Sequence, residues 1–111
     1  MEELKMKKAL IICAAGMSSS MMAKKTTEFF ESKGKDIKVD AVSSGEGSKL
    51  IADSDYDVFL ISPQTKMHYK TLKQEGDRVG KPVVNIPAQA YIPIPMGVEK
   101  LADLILEELP E

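Results

Sequence analysis

A run of aliphatic residues near the start of the chain, residues 9–12 of a predicted strand at 8–12, restricts the fold more than any other feature. A continuous apolar run of this length is typical of a strand that is buried on both faces of a sheet. Small residues with a serine cluster follow at once, and residues 21–33 then carry a helical pattern that closes at Gly34. Strand, turn and helix in this order predict an α/β fold.

The same alternation continues to the end of the chain. Strands are predicted at residues 37–42, 56–61 and 82–86, and helices at residues 49–53, 66–78 and 96–109. The first of these strands alternates apolar and polar side chains, as expected of a half-exposed edge strand. Four strands that alternate with four helices predict an open parallel sheet with helices on both faces, in three layers. The length fits a single domain over residues 1–111.

Composition argues against two classes of partner. The net charge is −2, Arg78 is the only arginine, and there is no Trp, so we expect no binding to nucleic acid. The longest apolar run, residues 9–17, is shorter than the ~20 residues that span a bilayer. The part of it before Cys13 is too short for the core of a signal peptide, which needs ~7–15 residues. We therefore expect a cytoplasmic monomer without stable membrane insertion.

Metal-ligating residues are scarce. One cysteine forms no intramolecular disulfide, and only His68 accompanies the carboxylates as a further zinc ligand. The aspartates at positions 53, 55 and 57 flank a predicted turn, so we interpret them as capping residues. His68 itself is expected at the solvent or at an interface. We predict no metal site.

Three segments should meet at the edge of the sheet where parallel strands end: residues 13–20, 62–64 and 87–95. The first is the most informative, because Cys13 directly follows the buried strand and a helix opens after it. Backbone N–H groups in the first turn of a helix have no intrahelical partners, and with the helix dipole they form a site for phosphate. The same field favours the nucleophilic thiolate. Gly16 permits a tight turn, and the serines that follow can donate hydrogen bonds or cap the helix.

Several known cysteine and glycine loops differ from this one in informative ways. The nucleotide-binding patterns GxxxxGK[ST] and GxGxxG are absent. Low-molecular-weight tyrosine phosphatases place Cys, five residues, Arg and then Ser or Thr, and here Ser19 stands where that arginine is needed. Without the arginine or an Asp-Pro acid loop, this loop is suited to hold a phosphoryl group and pass it on. A phosphatase or arsenate-reductase-like enzyme, and a non-catalytic phosphate-binding module with a structural Cys13, stay as alternatives.

Residues 10–20, Leu-Ile-Ile-Cys-Ala-Ala-Gly-Met-Ser-Ser-Ser, resemble the active-site loop of the enzyme IIB components of the bacterial sugar phosphotransferase system, lactose/cellobiose/chitobiose class. Ser-Pro-Gln at residues 62–64 and the predicted strand at 82–86 are similar to further segments of that family, and Tyr91 and residues 96–100 correspond more loosely. The resemblance implies strand order 2-1-3-4 and a fold like that of low-molecular-weight tyrosine phosphatases.

The resemblance also implies a function without cofactors. Phosphohistidine on a IIA component would phosphorylate Cys13, and the group would pass to a sugar held by the membrane permease IIC, such as the β-linked disaccharides cellobiose, lactose or chitobiose. It implies a phosphate-binding loop made of Ala14, Ala15, Gly16, Met17, Ser18, Ser19 and Ser20. It suggests partner contacts at Gln64, Lys66 and Tyr91.

Two departures from the family concern those contacts. Lys66 stands near the place where the family tends to have an arginine, and residues 87–95 are rich in proline. Met17 could face a partner, because flexible thioethers suit transient contacts. Lys24 and Lys25 could steer an anionic donor or form an ordinary solvated helix face.

Overall fold

The first strand, β1 (Lys7–Cys13), is buried on both faces, as the aliphatic run predicts. Ala9 and Ile11 belong to the apolar cluster on one face of the sheet. Leu10 and Ile12 belong to the cluster on the other face. Alternate side chains of one strand therefore serve two cores. The residues described by this computed structural model are 7–13, 16–52, 56–92 and 94–109.

Strands and helices alternate through the described residues. After β1 come α1 (Gly16–Ser32), β2 (Ile37–Ser43), α2 (Ser44–Ala52), β3 (Val58–Ile61), α3 (Tyr69–Val79), β4 (Val83–Asn85) and α4 (Pro95–Glu108). Two short 3-10 segments, Pro63–His68 and Ala88–Ala90, follow β3 and β4. Every strand pairing is parallel and the order is β2-β1-β3-β4, which confirms the predicted sheet.

The helices cover both faces of the sheet, so the three-layer prediction is also confirmed. α1 and α4 contact each other and bury Met22, Phe30, Leu101 and Ile105 in the cluster on one face. α2 and α3 contact each other on the opposite face, where Ile51 and Leu72 join the second cluster.

Two predicted helix starts are five residues late, and α3 begins at Tyr69, three residues after its predicted start. α1 begins at Gly16 and not at residue 21, and α2 begins at Ser44, where the sequence pattern predicts a loop over residues 43–48. The predicted helix at 66–78 is preceded by a 3-10 turn from Pro63. Ser, Gly and Pro are tolerated in the first turn of a helix, where N–H groups lack partners, so these residues mark no clear start. The predicted ends of α1 and α3 are confirmed, because Gly34 and Gly80 follow these helices with φ of 72° and 74°.

The outer edge of β2 is covered by a side chain of α1. The hydroxyl of Thr27 accepts a hydrogen bond from the N–H of Val39 at 2.9 Å and lies 3.2 Å from its carbonyl oxygen. The same hydroxyl lies 2.9 Å from the carbonyl of Ala23. One threonine therefore occupies the polar groups that this edge residue turns away from the sheet.

Candidate functional site

Cys13 is the last residue of β1, and it is only 1% exposed. It is paired with Ser43, the last residue of β2, in the parallel register. By the alternation of the strand its side chain is directed to the same face as Ala9 and Ile11, the face covered by α1 and α4. We call the carboxyl ends of the four strands, at Cys13, Ser43, Ile61 and Asn85, the cysteine edge.

Two helices begin beside Cys13. α1 starts three residues after it, at Gly16, and α2 starts at Ser44, directly after the residue paired with it. The first-turn N–H groups of a helix have no intrahelical acceptors, and the dipole places partial positive charge there. Both helix starts therefore favour an anionic group at this end of β1.

The non-helical stretch between β1 and α1 is shorter than the predicted phosphate-binding loop. Ala14 and Ala15 lie outside the described residues. Gly16 to Ser20 form the beginning of α1, so the prediction of an extended loop over residues 16–20 is wrong. The serines need not cap a later helix, because their backbone already has helical geometry. Ser20 is exposed at the end of this stretch.

The second predicted segment is brought against β1. The N–H of Ser62 donates a hydrogen bond of 2.9 Å to the carbonyl of Ile12, the residue before Cys13. Gln64 and Lys66 lie in the 3-10 turn that follows, where Lys66 and His68 are exposed. The predicted exposure of His68 is therefore confirmed.

The sequence interpretation named Ser62 as part of this segment but missed its burial and its bond to Thr65. Ser62 and Thr65 are fully buried, and their hydroxyl oxygens lie 2.7 Å apart. The N–H of Thr65 also donates to the carbonyl of Ser62 at 2.9 Å. A serine and a threonine three residues apart around a proline are a recognisable turn signal, but nothing in such a pattern indicates burial.

The third predicted segment follows β4. The N–H of Ile86 donates to the carbonyl of Ile61 at 2.8 Å, which continues the ladder past the end of the strand. Tyr91 is half-buried and packs against the cluster beneath α1 and α4. The structure thus brings residues 62–64 and 87–91 to the same edge as Cys13, as predicted.

Large apolar side chains are exposed around the cysteine edge. Five of them, with 44 to 75% exposure, come from the start of α1, from the turn after β3 and from the segment that leads into α4. We call these five residues the apolar rim: Met21, Met67, Ile92, Ile94 and Met96. Exposed large apolar residues on segments that follow neighbouring strands are candidates for protein contacts.

The charges at this edge are mostly positive. Four exposed lysines lie in the segments that follow β1 and β3: Lys24, Lys25, Lys66 and Lys70. Residues 16–25, 62–70 and 86–96 contain no Asp or Glu, although the whole chain has a net charge of −2. Glu46, in the first turn of α2, is the nearby carboxylate on the fourth segment. The positive charge favours an anionic partner or group.

Other candidate functions find little support in the part of the chain that is described. No three His, Cys, Asp or Glu side chains among these residues come together as a metal site. Asp57 accepts a hydrogen bond from the N–H of Lys8 in β1 at 2.9 Å, a contact between distant segments rather than the predicted cap. Asp53 and Asp55 lie outside the described residues. None of the described helices combines the length and the apolar character needed to cross a membrane.

Comparison with known protein families gives a consistent result. A family model for the "PTS system, Lactose/Cellobiose specific IIB subunit" matches residues 8–103. The lactose-specific EIICB component of the PTS system from Staphylococcus epidermidis is 24% identical over 102 residues, and that from Staphylococcus haemolyticus is 24% identical over 99 residues. Each match covers 89% of this chain but 17% of the relative, so the chain spans about a sixth of the length of these curated relatives.

Solved structures share the fold. The lactose-specific IIB domain from Streptococcus pneumoniae superposes with a TM-score of 0.81 at 22% identity, covering 94% of this chain and 98% of that one. The cellobiose-specific IIB protein from Borrelia burgdorferi superposes with a TM-score of 0.70 at 26% identity, covering 93% and 91%. The low identity of the first pair makes it evidence for the fold alone.

Proposed function

The chain belongs to the lactose/cellobiose-specific IIB family of the sugar phosphotransferase system, and from this premise we propose that it is a phosphocarrier in sugar uptake. In this proposal Cys13 accepts a phosphoryl group from phosphohistidine on a IIA component and passes it to a sugar bound by the permease IIC. The observation that carries the proposal is the position of Cys13, at the end of a buried strand and beside the starts of two helices.

The first step forms phosphocysteine. The Cys13 thiolate attacks phosphorus, the S–P bond forms as the N–P bond breaks, and the imidazole of the donor leaves with the bonding electron pair. Phosphoryl transfer of this kind depends on positioning and on stabilising the charge of the phosphoryl oxygens. The first-turn N–H groups of α1, from Gly16 to Ser20, and of α2, from Ser44, are suited to that task. Ala14 and Ala15 complete the proposed phosphate-binding loop.

The second step discharges the cysteine. A hydroxyl of the sugar in the permease attacks phosphorus, the S–P bond breaks, the thiolate is restored, and the hydroxyl proton passes to a base or to water. Because a thiolate is a better leaving group than a sugar alkoxide, transfer towards the sugar is favourable. The family name and the lactose and cellobiose relatives support a β-linked disaccharide as the substrate.

The charge distribution argues for a carrier rather than a phosphatase. A phosphatase built on this fold clamps the transferring group with a bidentate arginine beside the cysteine. The only arginine here, Arg78, lies in the last turn of α3, is exposed and approaches Glu75 at 3.3 Å. α3 starts at the cysteine edge, so its last turn lies at the opposite end of the sheet. Without the clamp, hydrolysis lacks its main electrostatic assistance.

Both partners must reach the same edge. The apolar rim and the lysines around it give a protein surface with which a IIA component and then the cytoplasmic side of IIC would make contact. Gln64 and Lys66 lie in the turn that also carries Met67 of the rim. Tyr91 lies in the chain between the 3-10 segment Ala88–Ala90 and α4. All three remain proposed contact residues. We propose a cytoplasmic monomer that docks transiently on the permease.

The test is the intact mass of the protein after incubation with phosphoenolpyruvate, the general phosphotransferase proteins and a lactose-class IIA component. We expect the wild type to gain one phosphoryl group, about 80 Da, and Cys13→Ser to gain none at the same position. Peptide mapping then assigns the modification to Cys13.

Two outcomes would overturn the proposal. A wild type that stays unmodified with a IIA component that is itself phosphorylated would favour a phosphate-binding module. Rapid release of phosphate from p-nitrophenyl phosphate, lost in Cys13→Ser, would favour a phosphatase.

A further inference from the structure

The buried hydroxyl pair of Ser62 and Thr65 has no role in the two transfer steps. Among the described residues three polar side chains are buried: Thr26, Ser62 and Thr65. Thr26 is explained locally, since its hydroxyl bonds the carbonyl of Met22 one turn earlier in α1 at 2.6 Å. Ser62 and Thr65 instead bond each other across the Pro63–Gln64 turn at 2.7 Å.

A hydroxyl pair is an unusual way to stabilise such a turn. Burying a polar group is unfavourable unless it is hydrogen-bonded, and two apolar side chains of the same shape would give similar stability. A hydrogen-bonded pair differs from apolar packing in one respect, because it requires one distance and one orientation. The pair is therefore better suited to define geometry than to add stability.

The geometry that it defines reaches the cysteine. The N–H of Ser62 donates to the carbonyl of Ile12 at 2.9 Å, and that carbonyl belongs to the peptide bond that joins Ile12 to Cys13. Thr65 in turn donates its N–H to the carbonyl of Ser62 at 2.9 Å. One backbone hydrogen bond thus attaches the start of the turn after β3 to the peptide group of the nucleophile. A second backbone bond and the hydroxyl pair, both within the turn, connect Thr65 to Ser62.

The same turn carries side chains that face a partner. Lys66, Met67 and His68 are exposed directly after Thr65, and Met67 is the most exposed member of the apolar rim. A partner protein that contacts these side chains is held at a fixed distance from Cys13, because the turn is hydrogen-bonded to β1 through Ser62. Phosphoryl transfer is sensitive to such placement, since a displacement of about 1 Å can cost ~100-fold in rate.

We infer that Ser62 and Thr65 are positioning residues: their hydroxyl pair sets the distance between the partner-facing turn and Cys13, and thereby the rate of phosphoryl transfer. This inference rests on the proposed function. Neither residue touches the phosphoryl group, and neither is a catalytic residue.

The experiment compares variants that separate the hydroxyl from the shape. Thr65→Val keeps the shape and removes the hydroxyl, whereas Thr65→Ser keeps the hydroxyl and removes a methyl group. The double variant Ser62→Ala with Thr65→Val removes both hydroxyls, so no unpaired hydroxyl stays buried. Single-turnover transfer from phosphorylated IIA is measured over a range of IIA concentrations, and thermal unfolding is recorded for each protein.

We expect Thr65→Val and the double variant to lower the maximal transfer rate by about 10- to 100-fold. The IIA concentration at half-maximal rate should stay within about 3-fold, and Thr65→Ser should transfer within about 3-fold of wild type. The double variant should unfold within a few degrees of wild type. This combination is not expected of residues that only support the fold.

Two results would overturn the inference. One is a folded double variant that transfers at the wild-type rate. The other is a Thr65→Ser variant as slow as Thr65→Val, because packing and not hydrogen bonding would then be responsible. If Thr65→Val fails to fold, the double variant and Thr65→Ser decide the question. Absence of transfer in the wild type would contradict the proposed function instead, so the two failures are distinct.

Discussion

Cys13 and Ser43 are paired residues at the carboxyl ends of β1 and β2, and each leads within three residues into a helix. From Ser43 the chain enters α2 directly, and from Cys13 it reaches α1 at Gly16. The pairing brings the starts of two helices to the end of β1 that carries Cys13. Both helix dipoles place partial positive charge there, in a chain whose only arginine lies in the last turn of α3.

The contact between Gly47 and Ile12 keeps α2 close to β1. A Cβ at Gly47 would lie 2.7 to 2.8 Å from three side-chain carbons of Ile12, closer than atoms can pack. We expect Gly47→Ala to lower the free energy of unfolding by about 1–3 kcal/mol, measured by urea denaturation. Ile12→Val lacks one of the three carbons, so combining it with Gly47→Ala should cost less than the sum of the single changes. Simple additivity would contradict this contact.

We expect the hydroxyl of Thr27, rather than its methyl group, to stabilise the fold. Thr27→Val leaves the N–H of Val39 without its acceptor on the outer side of β2, so we expect a loss of about 1–3 kcal/mol in the free energy of unfolding. Thr27→Ser retains the oxygen and should lose clearly less. Chemical denaturation of both variants gives the comparison, and equal losses would show that the methyl group is responsible.

Gly97 allows the segment that carries Ile92 and Ile94 of the apolar rim to pack closely against the start of α4. A Cβ at Gly97 would collide with the carbonyl oxygen of Ile92, a backbone atom that cannot turn aside. We expect Gly97→Ala to destabilise the protein by about 1–3 kcal/mol and to weaken binding of IIA, measured by calorimetry.

Gly34 provides the control for this prediction. It has positive φ, a Cβ added there would have no atom within 4 Å, and it lies between α1 and β2, away from the cysteine edge. Gly34→Ala should therefore destabilise the chain through backbone strain and leave IIA binding unchanged. If Gly34→Ala and Gly97→Ala both weaken IIA binding, the weaker binding of Gly97→Ala is explained by lower stability and not by the shape of this segment.

Met67 tests the apolar rim directly. It is 75% exposed, so Met67→Asp should leave the free energy of unfolding within about 0.5 kcal/mol of wild type. It places a charge in the proposed contact, and we expect binding of IIA to weaken by at least about 10-fold. Val79, 38% exposed at the last residue of α3, is the matched control. Val79→Asp should bind normally, and equal weakening would mean that the rim is not the contact surface.

The alternation of strands and helices could be predicted from short patterns because they reflect burial. β3 is apolar at every position and β1 is apolar from Ala9 onward since both faces are covered, and Gly34 and Gly80 end helices because their backbone has positive φ. Those signals are local and have one physical cause each. The strand order came from the family resemblance rather than from such patterns.

Other features depend on contacts that a local pattern does not contain. Serines at residues 18–20 suit a cap and a first turn equally well, so the predicted start of α1 is five residues late. The hydroxyl pair of Ser62 and Thr65 is buried only because the turn folds back against β1. The apolar rim comes from three segments that are far apart in the sequence, so no local pattern contains it.

The low exposure of Cys13 has a kinetic consequence. A cysteine residue that is 1% exposed must be uncovered before a reagent reaches its sulfur, whatever the chemistry that follows. The frequency of that opening is an upper limit shared by phosphoryl transfer, alkylation and oxidation. A partner that promotes the opening would accelerate its own reaction selectively, while peroxides and other small electrophiles would still wait for spontaneous exposure.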